Sequence, residues 1–381
     1  MTVLFFSRKS IFSRKTFGGA ESSIYLLAQE LSKRRINVLY VTNEKLSNNN
    51  FDHNEYFNYC KIPYIKGRER NFLFRWISDF IFSFFAGIII TKYKVNIVYN
   101  SYDIQSNLSF LMLSKFLNFK IVLRMAGLKW YEESLKSSKK KKLYLKIFNS
   151  VDCVNFIHEE LFKLFNESLN SLETKVALND ILFGDIGVEE NPYKYSPTGK
   201  DFNITMVSRF SKYQKRQDLL IYSVAKIIKD NPIHLTLVGE GSNKDKLIEL
   251  TQKLKIQDKI NFIPFLEQNK LWEFLSSQDL LVHCCDYEGL GKVIIEAMSI
   301  GVPVLASDVT PLNSLIKDEE NGFLVKNELD LWAKKLEYVF LHSDQLKIVS
   351  SKALEYFREN YSSKVNVIQF EEKFRTIITD A

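Results

Sequence analysis

Short apolar runs, each followed by a turn and then by a stretch with helical spacing, recur along nearly the whole chain. Residues 3–6, 37–42, 95–100, 120–124, 152–157 and 175–179 form one series; residues 204–208, 234–238, 260–265, 279–284 and 304–307 form a second. Runs this uniformly apolar read as strands covered on both faces, because a half-exposed strand would alternate with polar residues. Strands that alternate with helices predict parallel, doubly wound sheets. Residues 189–200, EENPYKYSPTGK, gather Pro192, Pro197 and Gly199 between the two series and read as a break. A chain of 381 residues suits two domains of ordinary size. The expected division is a Rossmann-like domain over residues 1–190, a linker over 191–200, a second Rossmann-like domain over 201–360, and a C-terminal helical segment over 361–381.

Composition narrows the class of ligand. Hydrophobic residues at 46% and charged residues at 25% are those of a globular protein with ample core material. A net charge of +7 suits an anionic substrate or an anionic surface. No helix-turn-helix, zinc or RNA-binding signature accompanies the basic residues, so no nucleic acid partner is expected. Cys60, Cys153, Cys284 and Cys285 show no CxxC pair, which predicts reduced thiols in the cytoplasm. Residues 1–7 read as a strand and lack the regions of a signal peptide. The apolar run 76–90 contains Asp79 and is shorter than the roughly 20 residues that span a bilayer, so a packed helix is expected there.

Residues 284–303, CCDYEGLGKVIIEAMSIGVP, concentrate the chemistry. A strand ending at Cys284 leads into a turn with Gly289 and Gly291, and then into apolar residues of helical composition. At the carboxyl end of a parallel strand, free backbone N–H groups and a helix N-terminus favour phosphate, and glycines let it approach. Glu288 and Glu296 lie about 80° apart around a helix at 3.6 residues per turn, so both are expected to face one cleft. Carboxylates accept hydrogen bonds from sugar hydroxyls more strongly than neutral acceptors do. A nucleotide sugar offers two such sets of hydroxyls, on its ribose and on its hexose.

The stretch EGLGKVIIEAMSIGVPV, residues 288–304, resembles the Glu-x7-Glu signature of the family 4 glycosyltransferases, retaining enzymes of the GT-B fold. Residues 208–220 are similar to the same family's GR-x-x-x-x-KG-x-D-x-L motif, with one extra residue between Arg209 and Lys215: Arg209, Lys215 and Asp218 match, while Ser208 and Arg216 replace its glycines. Gly239 and Gly241 stand where that family has its LVG-x-G turn, and Ile263 where its backbone meets the base. The resemblance implies two domains whose parallel sheets face a central cleft, with the C-terminal helix crossing back to the first domain. It further implies a hexosyl transfer in which Arg209 and Lys215 neutralise the donor diphosphate as it leaves. Glu288 would hold the sugar, Gly289, Leu290, Gly291 and Lys292 the sugar and phosphates, and Glu296 the ribose. The expected donor is UDP- or GDP-linked, and no metal is expected because two cations already serve the diphosphate.

For the acceptor, Gly18 and Gly19 match a Gly-Gly-x-Glu motif that the family carries before its first helix. The histidine common in that family after the strand at residues 122–127 is missing; Arg124 stands there, and its guanidinium fork would suit an acceptor phosphate or carboxylate. Lys136, Lys139, Lys140, Lys141, Lys142 and Lys146, near Trp130, Tyr131, Leu143, Leu145 and Phe148, suit peripheral contact with an anionic membrane. The expected acceptor is a saccharide or a polyprenyl-diphosphate-linked saccharide, in bacterial capsule or O-antigen assembly on the inner face of the cytoplasmic membrane. Two rivals differ in what they require. A glycosidase uses paired carboxylates but has no need of Arg209 and Lys215. A non-catalytic nucleotide-sugar-binding scaffold would keep both cations and release no nucleotide.

Overall fold

The computed structural model describes residues 1–7, 19–43, 54–63, 72–101, 104–197, 199, 201–211, 214–229 and 231–379. It divides into two units, Met1–Gly187 with Ser363–Ala381, and Val188–Ser362. The boundary therefore falls before the stretch 191–200 that had read as a linker. Those residues belong to the second unit: the Tyr195 N–H donates to the Ile300 carbonyl at 3.0 Å and the Ser196 N–H to the Ser276 carbonyl at 2.8 Å. Tyr193 and Tyr195 pack on that unit's core, which holds the proline-rich stretch in place.

The first unit is built on strands β1 (Thr2–Ser7), β2 (Asn37–Thr42), β3 (Phe57–Lys61), β4 (Ile97–Ser101), β5 (Lys120–Met125), β6 (Cys153–Phe156) and β7 (Ile181–Phe183). They form one seven-stranded sheet, in the order β3-β2-β1-β4-β5-β6-β7. Every pairing is parallel. Two differences from the sequence reading stand out. β3 carries exposed and half-exposed residues at this edge of the sheet, so its apolar content is too low to signal a strand. Residues 175–179 are irregular; the strand comes after them, where Ile181 pairs with Val154. The helix Gly19–Lys33 buries Ile24, Leu27, Ala28 and Leu31, as its spacing predicts.

The second unit continues with β8 (Phe202–Val207), β9 (Ile233–Val238), β10 (Ile260–Ile263), β11 (Leu280–His283), β12 (Val304–Ser307) and β13 (Phe323–Val325). Their order is β10-β9-β8-β11-β12-β13, again all parallel. Alternate residues along β11 serve opposite faces: Leu280, Val282 and Cys284 enter one apolar layer, Leu281 and Cys285 the other. Residues 355–378, which read as one helix, fall in two helices, Leu346–Asn360 and Ser363–Thr379. Between them the Tyr361 carbonyl accepts from the Val188 N–H at 3.0 Å. The last helix sends Val367, Phe370 and Phe374 into the core of the first unit.

Candidate active site

In the second sheet, β8 and β11 are neighbours at the point where the strand order reverses. The loops leaving their carboxyl ends run to helices in opposite directions, which opens a crevice between them. The β8 loop carries Arg209 and Lys215, and the β11 loop carries Glu288.

Backbone pairing fixes how these loops meet. The Arg216 N–H donates to the Cys284 carbonyl at 3.0 Å, and the Asp286 N–H to the Gln214 carbonyl at 3.0 Å. Lys215 thus lies opposite Cys285 in a short antiparallel bridge. The register brings the Lys215 ammonium onto Oε2 of Glu288. His283 Nε2 lies 2.8 Å from the same oxygen, and the Gly289 N–H donates to Oε1 at 2.9 Å. Burial alone would raise the Glu288 carboxyl, but the His283 hydrogen bond and the Lys215 charge outweigh it and hold the group well below the usual range.

His283 is 1% exposed, and burial followed by the Lys215 charge lowers its pKa against the pull of Glu288. A neutral ring satisfies these contacts best with Nε2–H donating to Glu288, because a carboxylate is the stronger acceptor. Lys215 Nζ lies 3.1 Å from that nitrogen and donates to Glu288. Nδ1 is then a buried acceptor with no partner among the described residues. Lys215 retains donors for a further acceptor, and Glu288 Oε1 retains a lone pair.

His283, Cys285 and Glu288 place ligand-type atoms within 4.8 Å of one another. They do not fit a metal as arranged. The Lys215 ammonium already occupies the position between Glu288 and His283 that a cation would take. The Cys285 thiol is pushed up to about 12 by burial, which disfavours the thiolate a metal would need.

Arg209 follows the end of β8, is exposed, and has no ion-pair partner among the described residues. Its loop is held from below: Gln217 Nε2 donates to the Arg209 carbonyl and to Ser208 Oγ, both at 2.9 Å. Gly239 and Gly241 are required by the same loop. They adopt φ of +145° and +155°, and a Cβ would lie 2.0 Å from the Ser208 carbonyl oxygen and 2.3 Å from that of Phe210. Their first duty is thus to let the β8 and β9 loops pack backbone to backbone. The Ile263 carbonyl, expected to face a base, accepts the Gly239 N–H at 2.9 Å.

Gly291 precedes the helix Lys292–Ile300, and Lys292 is its first residue. Leu290, half-buried, packs against the core. Glu296 is buried in that helix, and burial pushes its carboxyl up to about 7, only partly offset by Lys292 and Gln268. The two glutamates therefore differ in kind: Glu288 is a paired carboxylate, whereas Glu296 is buried and divides between protonated and ionised forms near neutral pH.

The acceptor-side expectations fare differently. Gly18 lies outside the described residues, and Gly19 opens the first helix, its carbonyl accepting from Ser22 and Ser23 at 3.0 Å. Arg124 does not present a free fork. It is buried on β5 and pairs with Asp185 at 2.6 Å, with side chains 4% and 1% exposed. Asp185 also accepts from Ser23 Oγ and the Gly187 N–H, both at 3.1 Å, so Arg124 ties β5 to the end of the first unit's sheet. His158, the nearest histidine in sequence, caps the helix Glu159–Ser171 through Nδ1. The lysine stretch is also altered: Trp130 and Phe148 are buried, and Lys141 donates to the Leu172 carbonyl at 2.8 Å.

Sequence reasoning missed His283 and the support beneath it. Ser307 Oγ accepts the Cys285 N–H at 2.9 Å and donates to Asn327 at 2.7 Å. Asn327 returns a hydrogen bond to the Cys285 carbonyl at 2.8 Å. The available signal was positional: a histidine ending an apolar strand, five residues before a turn glutamate.

The fold and these loops have a counterpart among known proteins. Residues 188–356 match the family model described as Glycosyl transferases group 1. Residues 188–356 thus carry a domain of that family, and the two parallel α/β units share the GT-B fold of the solved structures. The chain is 35% identical over 122 residues to an uncharacterized glycosyltransferase of Methanocaldococcus jannaschii, covering 32% of this chain but 31% of that protein. It is 22% identical over 367 residues to alpha-monoglucosyldiacylglycerol synthase of Streptococcus pneumoniae, covering 91% and 81% of the two chains. In structure it resembles sucrose-phosphate synthase from Thermosynechococcus elongatus, with a TM-score of 0.82 at 18% identity and complete coverage of both chains. It also resembles Anabaena HepE in complex with UDP and glucose, with a TM-score of 0.73 at 18% identity, covering 99% and 100%.

Proposed function

We propose that the protein transfers a hexose-type sugar from a UDP- or GDP-linked donor to a saccharide or lipid-linked saccharide, with retention at the anomeric carbon. The observation that carries this reading is the convergence of Lys215, Glu288 and His283 where β8 and β11 diverge. Lys215, with donors left over after Glu288, and the exposed Arg209 would meet the diphosphate and stabilise the charge that grows as it leaves. Glu288 would hold sugar hydroxyls through its remaining lone pair, and Glu296 the ribose. Retention, family 4 membership and a metal-independent reaction are inferences from the motif resemblance and from the two cations. The complex of HepE with UDP and glucose supports a uridine nucleotide as the first donor to try. The lipid product named for the Streptococcus relative supports a lipid-linked acceptor. Bacterial surface polysaccharide assembly on the cytoplasmic side of the membrane is the setting that combines these features.

The test incubates the protein with UDP- and GDP-sugars and a cell lipid extract, and measures nucleotide release and sugar incorporation with and without a chelator. Incorporation that persists under chelation and falls about 100-fold in Lys215→Ala is the expected result. Donor binding with no incorporation across the panel would favour the scaffold reading, and incorporation abolished by chelation would refute the metal-free mechanism.

A further inference from the structure

The helices Phe72–Lys92, Ile104–Leu113 and Ser138–Phe148 lie side by side in the first unit. Right-handed crossovers running from β3 through β6 put all three on one face of the sheet. Their inner sides supply Phe82, Ala86, Phe110, Tyr144 and Phe148 to the core. Phe6, Phe82 and Phe110 meet edge to face there.

Their outer sides are unusual. Phe84 and Ile88, one turn apart on the first helix, are 57% and 47% exposed, and Met112 and Phe116 beside the second are 50% and 82% exposed. The two helices meet next to these residues, because a Cβ on Gly87 would lie 3.4 Å from Leu113 Cδ2. The third helix turns outward Lys139, Lys142 and Lys146, spaced i, i+3 and i+7 on one stripe. All three are exposed and have no ion-pair partner among the described residues, whereas Lys140 of the same helix is paired with Glu133 at 3.0 Å. Scattered exposed apolar residues are ordinary, but a contiguous apolar patch bordered by one sign of charge marks an interaction surface.

We propose that this face of the first unit docks on an anionic lipid bilayer. Phe84, Ile88, Met112 and Phe116 enter the boundary between headgroups and acyl chains, and Lys139, Lys142 and Lys146 meet the lipid phosphates. Charge selects this occupant over a second copy of the chain. The three helices carry one carboxylate, Asp79, so a two-fold contact would set the lysine stripe against surfaces that cannot neutralise it. Contact is at the surface, because no helix among the described residues is long and apolar enough to cross a membrane. The inference stands on the patch alone and does not depend on the transfer reaction.

The experiment is co-sedimentation of the full chain with vesicles of phosphatidylcholine alone or mixed with phosphatidylglycerol, at low and high salt. The expected result is binding to the anionic vesicles that weakens with salt. Phe84→Glu with Ile88→Glu, shown by circular dichroism and melting to be folded, should weaken binding more than about tenfold. Lys139→Glu with Lys142→Glu and Lys146→Glu should remove the preference for phosphatidylglycerol. Absence of wild-type binding, or binding that both variants retain, would overturn the proposal. So would a wild-type dimer that the Phe84 and Ile88 changes dissociate while vesicle binding is unaffected.

Discussion

Replacing Lys215 by methionine removes a charge and keeps most of the side-chain volume. It leaves Glu288, whose side chain is 15% exposed, with His283 and the Gly289 N–H as its remaining partners. Breaking a buried ion pair from one side costs about 3–5 kcal/mol when nothing else serves the remaining charge. Two hydrogen bonds remain to this carboxylate, so the expected loss is about 2–3 kcal/mol. For a unit the size of Val188–Ser362 that lowers the melting midpoint by about 4–12 °C. The double variant Lys215→Met with Glu288→Gln removes both charges and should recover most of this loss without recovering transfer. The pH dependence has a definite sign. Because the folded Glu288 carboxyl is held below its ordinary value, its stabilising contribution is present above about pH 4.5 and is lost as pH falls through the folded value. In Lys215→Met the carboxyl takes up its proton nearer neutrality, so the deficit against wild type is largest at pH 7 and narrows toward pH 4. Urea denaturation across this range, alongside transfer assays, reads both effects. A single variant within about 0.5 kcal/mol of wild type, or a double variant no more stable than the single, would refute the assignment of Lys215 as the principal counter-charge of Glu288.

Burial pushes Glu296 up to about 7, so the unfolded chain releases its proton first and stability should decline by about 3 kcal/mol between about pH 4.5 and 7. Glu296→Gln should remove that decline in pH-dependent denaturation; an unchanged slope would mean that another group titrates. Gly241→Ala forces a Cβ to 2.3 Å from the Phe210 carbonyl at a φ of +155°, and should cost about 2–4 kcal/mol by thermal melting. Gly127→Ala, where a Cβ meets nothing within 4 Å, is the matched control and should melt like wild type. Arg124→Ala leaves Asp185 buried without a counter-charge and should cost the first unit about 3–5 kcal/mol by chemical denaturation. A variant that folds normally yet loses transfer would instead return Arg124 to an acceptor-binding role.

Much of the fold was legible because burial writes itself into composition. Strands covered on both faces are mostly apolar, so β1, β2, β4 and β11 can be read directly, and the helix Gly19–Lys33 shows its inner face at regular spacing. β3 was missed because an edge strand needs no such composition. The 191–200 stretch misled because proline and glycine mark irregular backbone, and irregular backbone can still be packed, as Tyr195 is. Arg124 misled in the opposite direction, since an arginine at a strand end looks the same in sequence whether it faces solvent or a buried aspartate sixty-one residues away.

The sequence by itself determined the alternation of strands and helices, the division into two parallel sheets, and the residue types that gather in the loops after β8 and β11. Those properties follow from local periodicity and composition, which need no knowledge of distant contacts. Only the tertiary structure decided the partners. The 214–216 backbone lies against 284–286, so Lys215 reaches Glu288, His283 joins them, and the Cys285 backbone rests on Ser307 and Asn327. The physical reason is that a charge or a hydrogen bond acts over a few ångströms of space, whatever the separation along the chain, and strand order alone brings such distant loops within that range.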